Sequence, residues 1–163
     1  MNSRIAGVTI CMTVALAAGA YAQRLDTIYP PGEQGSRNMK VQFHQPLVGA
    51  TDIRIEQDLS RPYLYQSHGR PAGVHILNLK DPTRASIIYS WNIENPELHQ
   101  GSATGGMIFK TKGRNYYIQS VQFRSASADG DLVAIVFDMT GLPDTTKIRE
   151  VGRIRDTTWK GGS

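Results

Sequence analysis

Two heptapeptides, RPYLYQS at residues 61–67 and RNYYIQS at residues 114–120, carry Arg, Tyr, Gln and Ser at the same four positions. The offset between them is 53, and the same offset pairs Ala50 with Ala103, Thr51 with Thr104 and Ile55 with Ile108, giving seven identities in one register. Further along, the register drifts as it does when loop lengths differ: Asn78 meets Asp138 at 60, and Ile87 meets Ile148 and Ile93 meets Ile154 at 61. A chain that writes one covalent plan twice folds it twice, and each copy needs a neighbour to cover what it cannot bury alone.

Each copy reads as four short strands divided by turn residues. In the first copy the strands are predicted at 51–57, 63–67, 74–80 and 86–93, separated by DLSRP, HGRPAG and DPTRA. In the second they are predicted at 104–110, 115–123, 132–139 and 147–154, with TKGR, SASADGD and TGLPDTT between them. No segment has a helical period. The third strands, GVHILNL and DLVAIVFDM, are almost continuously apolar, the pattern of strands covered on both faces. The expected fold is therefore all-β: four-stranded antiparallel blades of β-propeller type, about two of them, in an incomplete ring.

The stretch GVHILNLKDPTRASIIYSWNI, in which an apolar third strand runs into the Asp81-Pro82 turn and on to a further strand, resembles the LVIVD repeat of exported proteins. The resemblance covers residues 51–154; the second copy has DMTGLPD in place of the Asp-Pro turn and joins by its internal alignment with the first. It implies a propeller-like fold in a secreted or surface-attached protein, from a family with no well-defined enzymatic activity.

The start of the chain reads as a secretory signal peptide over 1–22: MNSR is short and basic, IAGVTICMTVALAAGA is apolar, and AYA supplies small residues for cleavage before Gln23. The apolar run is too short for a membrane span, so no transmembrane segment is expected in the mature chain. The single cysteine, Cys11, leaves with the leader. An exported chain with no disulfide must rely on an ordinary apolar core, and thiolate chemistry is excluded. The segment 23–40, with Pro30-Pro31 and no apolar period, reads as an extended N-terminal arm, and 41–49 as an isolated strand. Blades are expected at 50–101 and 102–155, with 156–163 a tail or the opening of a further blade. Two blades cannot close a ring of about four to eight. The sequence is thus expected to be the N-terminal portion of a longer product, with a ring built from other copies as the rival explanation.

The formal charge of +4 drops by one with Arg4, and the remaining Lys and Arg are scattered among acids, so no nucleic-acid partner is expected. Among chemical candidates, His44 in FHQPLVGAT and His99 in LHQGSAT each fall shortly before the first strand of a blade, on the connection that faces a propeller's axis. Neutral imidazoles from successive blades can hold iron or another divalent metal there; the alternative role is capping a turn. His75 alternates with Leu77 and Leu79 and reads as a satisfied interior residue, whereas His68 lies in a Gly/Pro loop and is expected to be exposed. Arg61, Arg114, Gln66 and Gln119 recur in both copies, which favours structural pairing over ligand binding. No nucleophile elbow, zinc-protease helix or phosphate loop is present. Asp129-Gly130-Asp131 reads as a hairpin turn rather than a calcium loop, and Glu94 and Glu97 lie in a proline-containing connection. Two functions fit. One is a non-catalytic scaffold, secreted, periplasmic or at the cell surface, binding protein or glycan through its loops. The other is a metal-dependent propeller enzyme with a histidine-lined axial site.

Overall fold

Alternating apolar and polar residues, rich in Val, Ile, Tyr and Phe, make strands here, and clusters of Gly, Pro and Asp end them. The computed structural model describes residues 38, 41–47, 49–124, 127–156 and 158. The chain divides into the units Met1–His44 and Gln45–Ser163, and among the described residues every strand belongs to the second. The predicted leader at 1–22, nearly all of the arm at 23–40 and residues 159–163 of the tail lie outside the described residues.

The strands are β1 (Ala50–Ile55), β2 (Tyr63–His68), β3 (Gly73–Asn78), β4 (Ser86–Asn92), β5 (Gly101–Thr111), β6 (Arg114–Phe123), β7 (Leu132–Asp138) and β8 (Arg149–Arg155). They form two antiparallel four-stranded sheets, ordered β1-β2-β3-β4 and β5-β6-β7-β8, with no closed ring. The one helical element among the described residues is a 3₁₀ turn, Thr145–Lys147, capped by the Asp144 side chain, which accepts from the Thr146 N–H. Residues 41–47 have no regular structure, so the isolated strand expected at 41–49 does not form among the described residues. Alternation at Val41 and Phe43 is not sufficient, because an extended segment becomes a strand only by pairing, and no strand pairs with it.

The repeat extends to backbone irregularities. The β1–β2 ladder shifts register between Ala50 and Asp52, and the β5–β6 ladder shifts between Ala103 and Gly105, the same positions 53 residues apart. The third strands shift at Ile76/Leu77 and at Val136/Phe137, 60 residues apart. A bulge bends and twists its strand, so the two copies share a three-dimensional plan as well as a sequence pattern.

The core lies between the sheets. From the first sheet, Tyr63, Tyr65, Val74 and Ile76 are buried; from the second, Tyr117, Val121, Ile135 and Phe137. The rings of Tyr65 and Tyr117 stack 4.6 Å apart, and Trp91 meets Phe137 edge-on at 5.1 Å. A buried polar network crosses the same interface. Ser67 Oγ donates to Gln119 Oε1 at 2.9 Å, Tyr117 OH donates to the same oxygen at 2.8 Å, and Gln119 Nε2 donates to the Gly105 carbonyl at 2.6 Å. Burial raises the Tyr117 hydroxyl to a pKa of about 12, which keeps it a neutral donor. The paired arginines are structural. Arg61 holds Glu56 through two nitrogens at 2.8 and 3.2 Å and donates to the Met139 carbonyl at 2.9 Å, while Arg114 pairs with Asp138.

His68 corrects an expectation. It ends β2 rather than sitting in an exposed loop, and only 7% of it is accessible. Its register partner is Gly73, where a Cβ would lie 2.6 Å from the imidazole Cε1, so the absent side chain is what makes room for the ring. The neighbouring His75 stacks on His68 at 4.4 Å, and its Nδ1 is 2.8 Å from Ser90 Oγ. Burial lowers the pKa of both histidines and keeps them neutral.

Candidate functional site

Two places gather chemistry. The first surrounds His99, which the connection from β4 to β5 holds in the structure with 6% of its surface exposed. Its Nδ1 lies 2.5 Å from the Glu94 carbonyl oxygen and 3.2 Å from that of Asn95, and its Nε2 lies 3.0 Å from Asp129 Oδ2 on the β6–β7 hairpin. Carbonyls and an ionised carboxylate only accept hydrogen bonds, so both ring nitrogens must carry protons. Burial alone lowers this imidazole's pKa; the bonds to Asp129 and to the two carbonyls outweigh it and hold the group above its ordinary value of 6.5.

Glu94, His99 and Asp129 each offer a ligand atom within 4.8 Å of the others, and they form the one such trio among the described residues. The donor set nonetheless fits an ion network better than a metal. Both nitrogens of His99 are engaged as donors, leaving no lone pair for a cation. The carboxylates are taken too: Arg153 binds Glu94 at 2.6 and 3.0 Å, and Arg155 lies 3.0 Å from Asp129 and 2.7 Å from Asp131. Arg153 lowers the Glu94 pKa, and His99 with Arg155 lowers that of Asp129. A divalent ion entering here would have to displace two guanidiniums. His44, the other predicted ligand, is exposed, belongs to the Met1–His44 unit, and is not in this trio.

The arrangement makes His99 a charged clip between two connections, with a testable pH signature. A histidine whose folded pKa is raised contributes stability that is fully present below the unfolded value and lost as pH rises through the folded one. Asp129, whose pKa is lowered, contributes in the opposite sense at acid pH. The melting-temperature penalty of His99→Gln is therefore expected to be largest near about pH 5.5 and to shrink by about pH 9. A penalty independent of pH over that range overturns the imidazolium assignment.

The second place is a groove of about 540 Å³ where the edge strands β1 and β5 adjoin. The two edges are clasped by side chains from the first sheet. Thr51 Oγ1 donates to the Ala103 carbonyl at 2.7 Å, Arg54 Nε donates to the Gly106 carbonyl at 2.6 Å, and Gly106 N–H donates to Asp52 Oδ2 at 2.9 Å. A Cβ at Gly105 would lie 3.5 Å from Asp52 Oδ2 across this seam, and within its own sheet a Cβ at Gly106 would lie 2.3 Å from the Tyr117 hydroxyl. Above this clasp the walls are Ile55, Met107, Ile108 and Phe109, flanked by Arg54 and Lys110 on one side of the charge balance and Glu56 and Asp58 on the other.

Sequence reasoning placed His99 before the first strand of its blade but did not foresee Glu94 or Asp129 as its neighbours, nor the groove. One signal for the groove was present: consecutive Gly105-Gly106 inside a strand marks a close backbone approach. Among the described residues no helix is long and apolar enough to cross a membrane. No family model, no curated protein and no solved structure matches this chain.

Proposed function

We propose that this chain is an exported β-propeller-type repeat protein, similar to the LVIVD proteins, that acts as a non-catalytic binding scaffold outside the cell or at its envelope. The observation that carries the reading is the β1–β5 groove. It combines exposed apolar side chains with charges of both signs: Ile55 is 49% and Met107 62% exposed. An accessible apolar surface rimmed by charge is the usual signature of an interaction site. Its aliphatic and thioether walls, with Arg54, Lys110 and Asp58 at the rim, suit a segment of a protein partner, and a flexible methionine adapts to varied side chains.

The test is selection of peptides from a displayed random library on the immobilised full chain. Selected peptides are expected to lose about tenfold or more in affinity against Lys110→Glu and against Ile55→Asp. Both positions are exposed, so the fold should survive. Peptide binding that ignores both substitutions, or capture of glycans alone, overturns the reading.

A further inference from the structure

Each sheet of a stacked repeat has two unlike faces, and this chain shows how they mate. The face of the first sheet bearing Tyr65 and Ser67 meets the face of the second bearing Tyr117 and Gln119. Along the 53-residue offset, the equivalents of Tyr65 and Ser67 are Ile118 and Ser120, which alternation puts on the far side of the second sheet. Among the described residues no sheet packs on that side, and it is apolar: Met107 is 62% and Ile154 48% exposed, and Ile118 and Ser120 are half-buried. The equivalent of Gln119 is Gln66, which alternation puts on the far side of the first sheet, with Ile53 directly opposite it on β1 and 53% exposed.

Gln66 supplies the second observation. It is 1% exposed, yet neither Nε2 nor Oε1 has a hydrogen-bond partner, whereas its equivalent Gln119 is bonded at both amide atoms. The groups that now bury Gln66 give its amide nothing. A surface that displaces those groups and brings a serine hydroxyl to the amide, as Ser67 comes to Gln119, replaces an unsatisfied burial with a satisfied one.

We propose that the far side of the second sheet docks on the far side of the first sheet of another copy of this chain, with Ser120 donating to Gln66 as Ser67 does to Gln119. The contact is head-to-tail, so copies add in one direction until a ring closes. With two sheets per chain, rings of two to four copies fall within the range of about four to eight blades. The inference rests on the repeat; Met107 also walls the groove and Ile55 shares the β1 face of Ile53, so the test substitutes only Ile53, Ile118, Ser120 and Ile154, none of which lines the groove.

The experiment uses native mass spectrometry and light scattering on the full chain, with circular dichroism to confirm the fold of each variant. The wild type is expected to form closed oligomers. Ile118→Arg on one face, with the exposed Ile154→Arg as a second variant of that face, and Ile53→Arg on the other are each expected to be monomeric. An equimolar mixture of Ile118→Arg and Ile53→Arg is expected to give a one-to-one dimer and nothing larger, because each retains one intact face of opposite kind. Ser120→Ala is expected to raise the dissociation constant about tenfold. A wild type that stays monomeric at high concentration, including one whose far face waits for a blade of a longer chain, overturns the proposal. So does an oligomer that Ile53→Arg leaves intact, which would indicate two second sheets pairing with each other.

Discussion

Phe137→Ala is expected to cost about 3–5 kcal/mol, a large part of the roughly 5–15 kcal/mol that stabilises a domain of this size. Phe137 is 1% exposed at the centre of the inter-sheet core, directly opposite Tyr117 in the β6–β7 ladder. It also makes the edge-on contact with Trp91 from the other sheet. Truncation therefore removes apolar burial, leaves a cavity between two layers that cannot both collapse onto it, and forfeits an aromatic pair worth about 0.5–1.5 kcal/mol. Val133→Ala on the same strand, where the side chain is 44% exposed, is expected to cost less than about 0.5 kcal/mol. Urea denaturation followed by far-ultraviolet circular dichroism measures both. Equal costs at the two positions would mean that the sheets are not held together through this face.

The two repeated glutamines are expected to respond in opposite directions to the same substitution. Gln119→Leu is expected to destabilise the chain by about 2–3 kcal/mol, because it strips a buried acceptor from Ser67 and Tyr117 and a donor from the Gly105 carbonyl. Gln66→Leu removes two buried polar atoms that have no partner, so in dilute, monomeric chain it is expected to be neutral or stabilising by about 1 kcal/mol. Sequence gives the two residues the same rank; only their surroundings separate them. The same denaturation experiment, repeated on both leucine variants, decides it, and a loss at Gln66 as large as that at Gln119 overturns the account of the network.

The eight strands of the described residues and their grouping into fours were readable from the sequence. The reasons are local: alternation, turn residues such as Asp81-Pro82, and a repeat long enough to align copy against copy. The roles of Arg61 and Arg114 followed from the same alignment. What was not readable depends on approach between residues far apart in the chain. Asp129 reaches His99 across 30 residues, and Arg153 reaches Glu94 across 59. No periodicity encodes which hairpin tip swings over which connection. His68 was misplaced for a subtler reason, since its burial is permitted by the missing side chain of Gly73 on the next strand. Among the described residues the strand expected at 41–49 does not form, on the converse point: pattern proposes a strand, and only a pairing partner makes one.

The strand order within each sheet bears on how the molecule folds. Every ladder joins strands that follow one another along the chain, and the sheets themselves succeed one another without interleaving. Loop closure before each pairing is therefore short and entropically cheap, so hairpins can zip up in succession in a way that interleaved sandwiches do not permit. The contacts between the layers close the longer loops: Tyr65 stacks on Tyr117, and Ser67 meets Gln119 across 52 residues. On this route a nascent first module emerges with its inner face uncovered and waits for the second to be made.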